Sequence, residues 1–200
     1  QRVGQPLDTA QIKQATRRVN EAIEDAAING ATTADGQQLI VAGYGAPGLL
    51  NAPNANTFTT TDWDTATGEQ IRVDTMSMIE KLQADRKYGP YNFYVGTNYS
   101  NALEADFKAN GTLTIRQRLE QITAGGRPIR FKTTDMMPAN TVAGVQMTSD
   151  VVDMIDGQAP TVIPWTSLDG FTLFWLVMAI QIPRFRSDYD GNSGVVIGTV

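Results

Sequence analysis

The stretch Leu7-Asp8-Thr9-Ala10-Gln11-Ile12-Lys13-Gln14-Ala15-Thr16-Arg17-Arg18-Val19-Asn20-Glu21-Ala22-Ile23-Glu24-Asp25-Ala26-Ala27-Ile28-Asn29-Gly30 decides how the rest of the chain is read. Ile12, Ala15, Val19, Ala22, Ile23 and Ala26 recur at three- and four-residue spacing, which predicts one buried stripe on a helix. Asp8 with Gln11 three residues later has the pattern of a capping box, and Gly30 suits the left-handed residue that ends a helix. From Asp8 to Asn29 such a helix spans about 33 Å at 1.5 Å per residue. Its stripe is mostly alanine and valine, so it is expected to lie close against a sheet, as a spine bracing the domain. A glycine-punctuated loop follows and closes on Gly48-Leu49-Leu50-Asn51.

Composition narrows the chemistry. The chain has 200 residues, 42% of them hydrophobic and 18% charged, enough to bury a core in one or two domains. A net charge of −5 and a pI of about 4.7 argue against a general nucleic-acid binder, which needs clustered Lys and Arg. Cysteine and histidine are both absent, which removes disulfides, thiolate and imidazole metal sites, and Ser-His-Asp or Cys-His catalysis. The chain starts at Gln1 without a basic-then-apolar leader, so no secretory signal is visible and a start inside a longer reading frame is expected. The most apolar run, Phe171 to Ile182, is too short to span a bilayer, which takes about 20 residues.

Beyond the spine, a short strand is expected from Gln37 to Ala42, and Asn51 to Thr67 reads as a long irregular connection and a candidate domain boundary. A helix is expected from Asp74 to Lys87, stopped by Gly89-Pro90, then a half-buried strand with Tyr91, Phe93 and Val95 on one side. A short helix from Asn98 carries Leu103 and Phe107. Thr114 with Gln117 opens another, with Ile115, Leu119 and Ile122 inward, ended by Gly125-Gly126. The last third reads as strands: Ile129–Phe131, Thr141–Met147, Val151–Ile155, Thr161–Trp165, a long one from Phe171 to Arg186, and Val195–Ile197 after the turn Asp190 to Gly194. Helices early and strands late give an α+β class.

Four motifs invite a chemical reading. Gly43-Tyr44-Gly45-Ala46-Pro47-Gly48 matches the dinucleotide fingerprint literally, but Pro47 and Pro53 forbid the long helix that must follow it, so a turn is the expectation. Asp188-Tyr189-Asp190-Gly191-Asn192 resembles the start of a calcium loop. Ser193 and Thr199 stand where glycine and a bidentate glutamate are needed, and a hairpin turn is expected instead. Arg127, Arg130 and Lys132, and Arg184 with Arg186, are basic clusters expected to pair with carboxylates at a subunit contact. Asn98-Tyr99-Ser100 and Asn110-Gly111-Thr112 are sequons read as chance matches, Asp62 and Asp64 as solvated surface, and Trp165 and Trp175 as core or interface. From the residues alone, no catalytic, cofactor-binding or metal-binding set is assigned.

The order of motifs carries more. Ala22-Ile23-Glu24-Asp25-Ala26-Ala27-Ile28-Asn29-Gly30, then Pro47-Gly48-Leu49-Leu50-Asn51, resemble the spine-helix terminus and following loop of encapsulins and tailed-phage major capsid proteins. Tyr88-Gly89-Pro90-Tyr91-Asn92-Phe93-Tyr94-Val95-Gly96-Thr97-Asn98 is similar to the encapsulin segment where a helix breaks and enters a central strand. Ile115-Arg116-Gln117-Arg118-Leu119-Glu120-Gln121-Ile122 resembles the next helix, and Phe171-Thr172-Leu173-Phe174 with Ala179-Ile180 the C-terminal hairpin strand. The resemblance implies the Hong Kong 97-like capsid fold: a peripheral domain of residues 1–68 plus 159–200 with the spine helix and long strands, and an axial domain of residues 69–158. It also implies that Lys108, Ala109, Asn110, Gly111, Thr112 and Leu113 rim a symmetry-axis pore. The family's N-terminal arm and extended loop are expected to be absent, since the chain begins almost at the spine.

The function implied is a non-enzymatic shell subunit, the major capsid protein of a tailed bacteriophage. It would self-associate as pentamers and hexamers and enclose DNA without reading its sequence, with scaffold or decoration proteins as candidate partners. The implied location is the virion, assembled in the host cytoplasm, with no cofactor and no membrane partner. The alternatives are an encapsulin compartment enclosing cargo enzymes, a nucleotide-binding enzyme using Gly43–Gly48, and a secreted binding module.

Overall fold

The computed structural model describes residues 7–32, 37, 40–41, 44–108, 111–168, 170 and 172–200. The first helix, α1, runs Leu7–Asn29 and ends at Gly30, whose φ of +91° is the left-handed turn expected there. It is already helical at Asp8, which therefore stands in the first turn and not at the cap. Two short strands, β1 (Ile40–Val41) and β2 (Tyr44–Gly45), pair antiparallel; the rest of the strand expected over Gln37–Ala42 lies outside the described residues, save Gln37. A 3₁₀ turn, Leu49–Asn51, packs back on the end of α1.

That docking is backbone against backbone. A Cβ on Gly48 would stand 2.2 Å from the Gly30 nitrogen and 2.5 Å from the Ile28 carbonyl oxygen, so only glycine fits. Asn51 binds across the join: its Oδ1 accepts the Gly48 N–H, and its Nδ2 donates to the Asn29 carbonyl at 3.3 Å. Gly48→Ala is expected to cost about 1–3 kcal/mol through this overlap, read as a lowered thermal midpoint with unchanged secondary structure. An unchanged midpoint would show that the loop is not packed this way.

The chain then builds a five-stranded sheet, β3 (Asn56–Thr59), β11 (Val195–Thr199), β8 (Thr141–Gln146), β4 (Tyr91–Val95) and β7 (Arg130–Thr133), in that order. β3 runs parallel to β11 and β4 parallel to β7, while β8 is antiparallel to both its neighbours. β8 is buried at every position, as the central strand of a sheet covered on both faces should be. One face carries Phe93, Phe131, Val142 and Val196 against α2 (Gly68–Ala84), α3 (Asn98–Glu104) and α4 (Ile115–Glu120). The other face carries Ala143, Val145 and Val195 against Ile28, Leu49 and Val151.

Several expectations change here. Asn51–Thr67 is not wholly irregular: β3 lies in it, and Trp63 is completely buried beside Tyr99, with ring centroids 5.5 Å apart. α2 begins six residues before Asp74, because Thr67 and Gln70 form a capping box that starts it. α3 ends at Glu104, leaving Phe107 in the loop that follows. Gly125-Gly126 does not end α4; both have positive φ and turn a two-residue hairpin between β5 (Thr123–Ala124) and β6 (Arg127–Pro128). The capping box at Thr114 and Gln117, and the burial of Ile115 and Leu119, stand as read. The outer edge of β7 is blunted at Phe131, whose N–H donates to Glu120 and whose carbonyl accepts from Arg116.

The two strands expected at Val151–Ile155 and Thr161–Trp165 are one strand, β9 (Val152–Thr166), paired antiparallel with β10 (Leu173–Phe185). Prolines 160 and 164 do not break it, because β9 has a single neighbour and its other edge needs no N–H. Pro160 also falls where the register shifts, between the pairs Gln158–Ile180 and Thr161–Met178. Phe171, the expected start of the second strand, lies outside the described residues.

Candidate functional site

A two-stranded hairpin this long is normally marginal on its own, and it needs a surface to lie on. α1 supplies part of one: Val19, Ala22, Ile23 and Ala26 line a shallow cleft against Val177, Met178 and Ala179 of β10. The stripe expected to be buried along α1 is at most half-buried, and it is the other face of the helix that reaches the core, at Ile28. Ile28 is buried, whereas Ala15 and Ala22 are exposed and Ile12, Val19 and Ile23 half-buried.

Beyond its contact with α1 the hairpin's distal half is largely open to solvent. Residues 159–166 of β9 are all exposed, with none of the alternation that marks a one-sided strand. Val162, Ile163, Trp165, Leu173, Phe174, Leu176 and Ile180 present apolar surface to solvent. Trp165 and Phe174 stack across the strands with centroids 5.5 Å apart, and Leu168 at the tip is fully exposed. From Gly157 to Ile180 the only charged residue is Asp169. A contiguous uncharged surface of this kind marks an interaction site.

At its root the hairpin is anchored by charge. Asp153 of β9 pairs with Arg184 of β10 and with Arg186 at 2.9 Å. Hydrogen bonding to Arg184 is the main reason the Asp153 carboxyl sits below its ordinary value of 3.8, and the Arg184 and Arg186 charges add to it. This corrects the expectation that Arg184 and Arg186 meet carboxylates on another subunit: their partner is in the same chain, brought opposite by the strand register. Because the folded carboxyl is the stronger acid, the pair's contribution is complete above the unfolded value and is lost as pH falls through the folded one. The thermal midpoint of the parent is therefore expected to drop below about pH 3.8 more steeply than that of Asp153→Asn, and to differ by a constant amount near neutrality. Parallel curves throughout would remove the anchor.

Beside the root lies an open groove of about 810 Å³. Ile28, Leu49, Tyr94 and Val145 line it together with Met147 and Met154, both nearly half exposed. Lys132 stands on its rim, 5.8 Å over the Tyr94 ring.

The other singled-out residues fall elsewhere. Gly45 ends β2 and Gly48 caps the 3₁₀ turn against α1, and no α-helix starts among the described residues of the motif; Gly43 lies outside them. The Asp188 carboxylate accepts the Asn192 N–H at 2.8 Å and its side-chain amide at 2.6 Å, closing a turn there; it is not the expected hairpin between strands, because β10 pairs with β9 and β11 with β3 and β8, and only Ser187 and Ser193 bridge across it. Among the described residues no group of three or more acidic side chains is placed to hold a metal ion. Nor, among them, is any helix long and apolar enough to cross a membrane. Asn98 donates to the Asn140 side chain at 2.9 Å. Asp62 holds the Asp64 N–H at 3.2 Å, and Asp64 is exposed. Arg127 and Arg130 are exposed.

Of the expected pore loop, Ala109 and Asn110 lie outside the described residues. Lys108, Gly111, Thr112 and Leu113 are exposed, and the loop's base is pinned where the Phe107 N–H donates to the Leu113 carbonyl at 3.0 Å. A buried polar cluster was not foreseen: Asp74 accepts from the Thr61 N–H, the Thr61 hydroxyl and the Trp63 indole N–H. A lone tryptophan in a Thr- and Asp-rich stretch was the available signal.

This arrangement has counterparts among solved structures. The chain is similar to the capsid of Myoviridae phage XM1, with a TM-score of 0.75, 14% identity, and coverage of 96% of this chain and 65% of that one. It is also similar to the capsid of the native GTA particle, at TM-score 0.60, 14% identity, and the same 96% and 65% coverage. A virus-like particle from Pyrococcus furiosus matches at TM-score 0.57 and 17% identity, over 74% of this chain and 58% of that one. The chain thus spans less than two thirds of the length of these shell proteins, whose mixed α+β fold it shares. No curated protein matches it in sequence. Over residues 1–198 the sequence matches the family described as a family of unknown function (DUF6260), and the chain belongs to that family.

Proposed function

We propose that the chain is a structural subunit of an icosahedral shell with the Hong Kong 97-like fold, the major capsid protein of a tailed bacteriophage that self-assembles to enclose DNA. The observation that carries this reading is the match over 96% of the chain to the capsid of phage XM1. The open apolar hairpin supports it, since surface of that kind calls for covering by neighbouring subunits. The acidic balance suits a wall that must not pin packed DNA.

In this reading residues 1–68 and 159–200 form the peripheral part, with α1 and the hairpin beyond its root, and residues 69–158 the axial part, the boundary falling within β9. β3 and β11 carry the peripheral segments into the shared sheet. The loop Lys108–Leu113 rims the axial pore, pentamers and hexamers close the shell, and scaffold or decoration proteins act on it from outside the chain. The subunit performs no reaction, and it functions in the virion after assembly in the host cytoplasm.

The likeness to the Pyrococcus furiosus particle favours a second reading, an encapsulin-type compartment enclosing cargo enzymes. Contents separate the two. Particles isolated from the native host and treated with nuclease are expected to retain protected DNA. Particles that hold protein cargo and no nucleic acid would overturn the phage reading.

A further inference from the structure

With no cysteine in the chain, all of its sulfur is in seven methionines, and the fold sorts them by exposure. Met78 is wholly buried and Met137 nearly so. Met76, Met136 and Met178 are half-buried. Met147 and Met154 stand apart at 42% and 45% exposed, and both line the open groove beside the hairpin root. Two separate segments bring them there. Met147 follows β8, where its N–H donates to the Pro90 carbonyl at 2.8 Å, and Met154 lies in β9 opposite Pro183. Neither belongs to the buried clusters on the two faces of the sheet.

We propose that Met147 and Met154 are the chain's peroxide-reactive site, each taking up one oxygen to become a sulfoxide while the fold holds the other five methionines back. In each step a sulfur lone pair attacks one oxygen of hydrogen peroxide. The S–O bond forms as the O–O bond breaks, the departing hydroxide takes the proton left on the transferred oxygen, and water leaves. Sulfur is oxidised by two electrons and the peroxide is reduced by two. An exposed thioether meets peroxide directly, whereas Met78 reacts only when the core around it opens. The product is polar where the parent side chain was apolar and flexible, so the groove above Ile28, Leu49 and Tyr94 gains two strong hydrogen-bond acceptors. Because both side chains lie outside the core, the subunit's own stability is expected to change little. The inference stands on the single subunit and not on the shell reading.

The test uses the full gene product as unassembled subunits, exposed to dilute hydrogen peroxide, quenched at intervals and digested for peptide mass spectrometry. The first two oxygen atoms are expected on Met147 and Met154, well ahead of Met78 and Met137, with the thermal midpoint within a few degrees of the untreated protein. Met147→Leu combined with Met154→Leu, which keeps size and apolar character, is expected to lose the fast uptake. Methionine sulfoxide reductases of both stereospecificities, supplied with a dithiol, are expected to return the parent to its original mass. Uptake shared evenly by all seven methionines, or led by Met76, Met136 or Met178, overturns the proposal. So does a double variant that takes up oxygen as fast as the parent, or a mass gain that the reductases leave in place.

Discussion

Trp165→Glu abolishes particle formation while leaving the subunit's own thermal midpoint within a few degrees of the parent. The side chain is 48% exposed in the isolated subunit, so its loss there forfeits little beyond the stacking on Phe174, worth about 0.5–1.5 kcal/mol. In the proposed shell the same position is expected to be covered, and a carboxylate placed there must then be desolvated without a partner at a cost of several kcal/mol. Each contact is repeated around the shell, so even about 1.4 kcal/mol per contact, a tenfold weakening, compounds across it. Sedimentation velocity and thermal melting on one preparation separate the two effects. Shells of normal size from Trp165→Glu would show that the hairpin is not an assembly surface, and a collapsed melt would show that Trp165 belongs to the subunit's own core.

Trp63→Ala acts in the opposite way. The indole is wholly buried between Tyr99 and Phe131, with centroids at 5.5 and 6.3 Å. Truncating it is expected to cost about 3–5 kcal/mol, a large part of the roughly 5–15 kcal/mol that holds a domain together. Asp74→Ala removes the acceptor for the Trp63 indole, the Thr61 N–H and the Thr61 hydroxyl; Thr61 is exposed and turns to water, whereas the buried indole N–H is left unpaired at about 1–3 kcal/mol. The two losses overlap because both loosen the loop of residues 60–63. The double variant is therefore expected to cost less than the sum of the single ones, in a denaturant titration analysed as a double-mutant cycle. Strict additivity would mean that Asp74 does not hold Trp63 in place.

What the sequence revealed follows local rules. α1, the Thr114 capping box, the alternation of Tyr91, Phe93 and Val95, and the turn at Gly191 depend on residues within one or two turns of each other, and all stand. The misreadings needed knowledge of distant partners. Pro160 and Pro164 break a strand only if both its edges are paired, and nothing nearby announces that β9 has a free edge. β3 is Asn-Thr-Phe-Thr, weak by composition, and exists because β11, far along the chain, gives it a ladder. The Asp153–Arg184 pair is set by register across the hairpin, so charge counting could find the arginines but not their partner. α1 was readable as a helix, yet its half-open stripe was not, because how far the stripe is covered depends on where the distant strand β10 lies against it.

The candidate surface was legible in part for the same reason. Trp165 and Trp175 were readable as core or interface, and the structure excludes the core for Trp165, which stands on the open ribbon. The groove gathers Ile28, Leu49, Tyr94, Val145 and Met154 from five separated segments, and no local pattern joins them.

Electron microscopy of the full gene product, purified and concentrated at physiological salt, tests the central claim most directly. Uniform closed shells tens of nanometres across, with five- and six-fold clusters on their surface, are the expected result. A protein that stays monomeric or dimeric across salt and concentration, its hairpin still open to solvent, would contradict it.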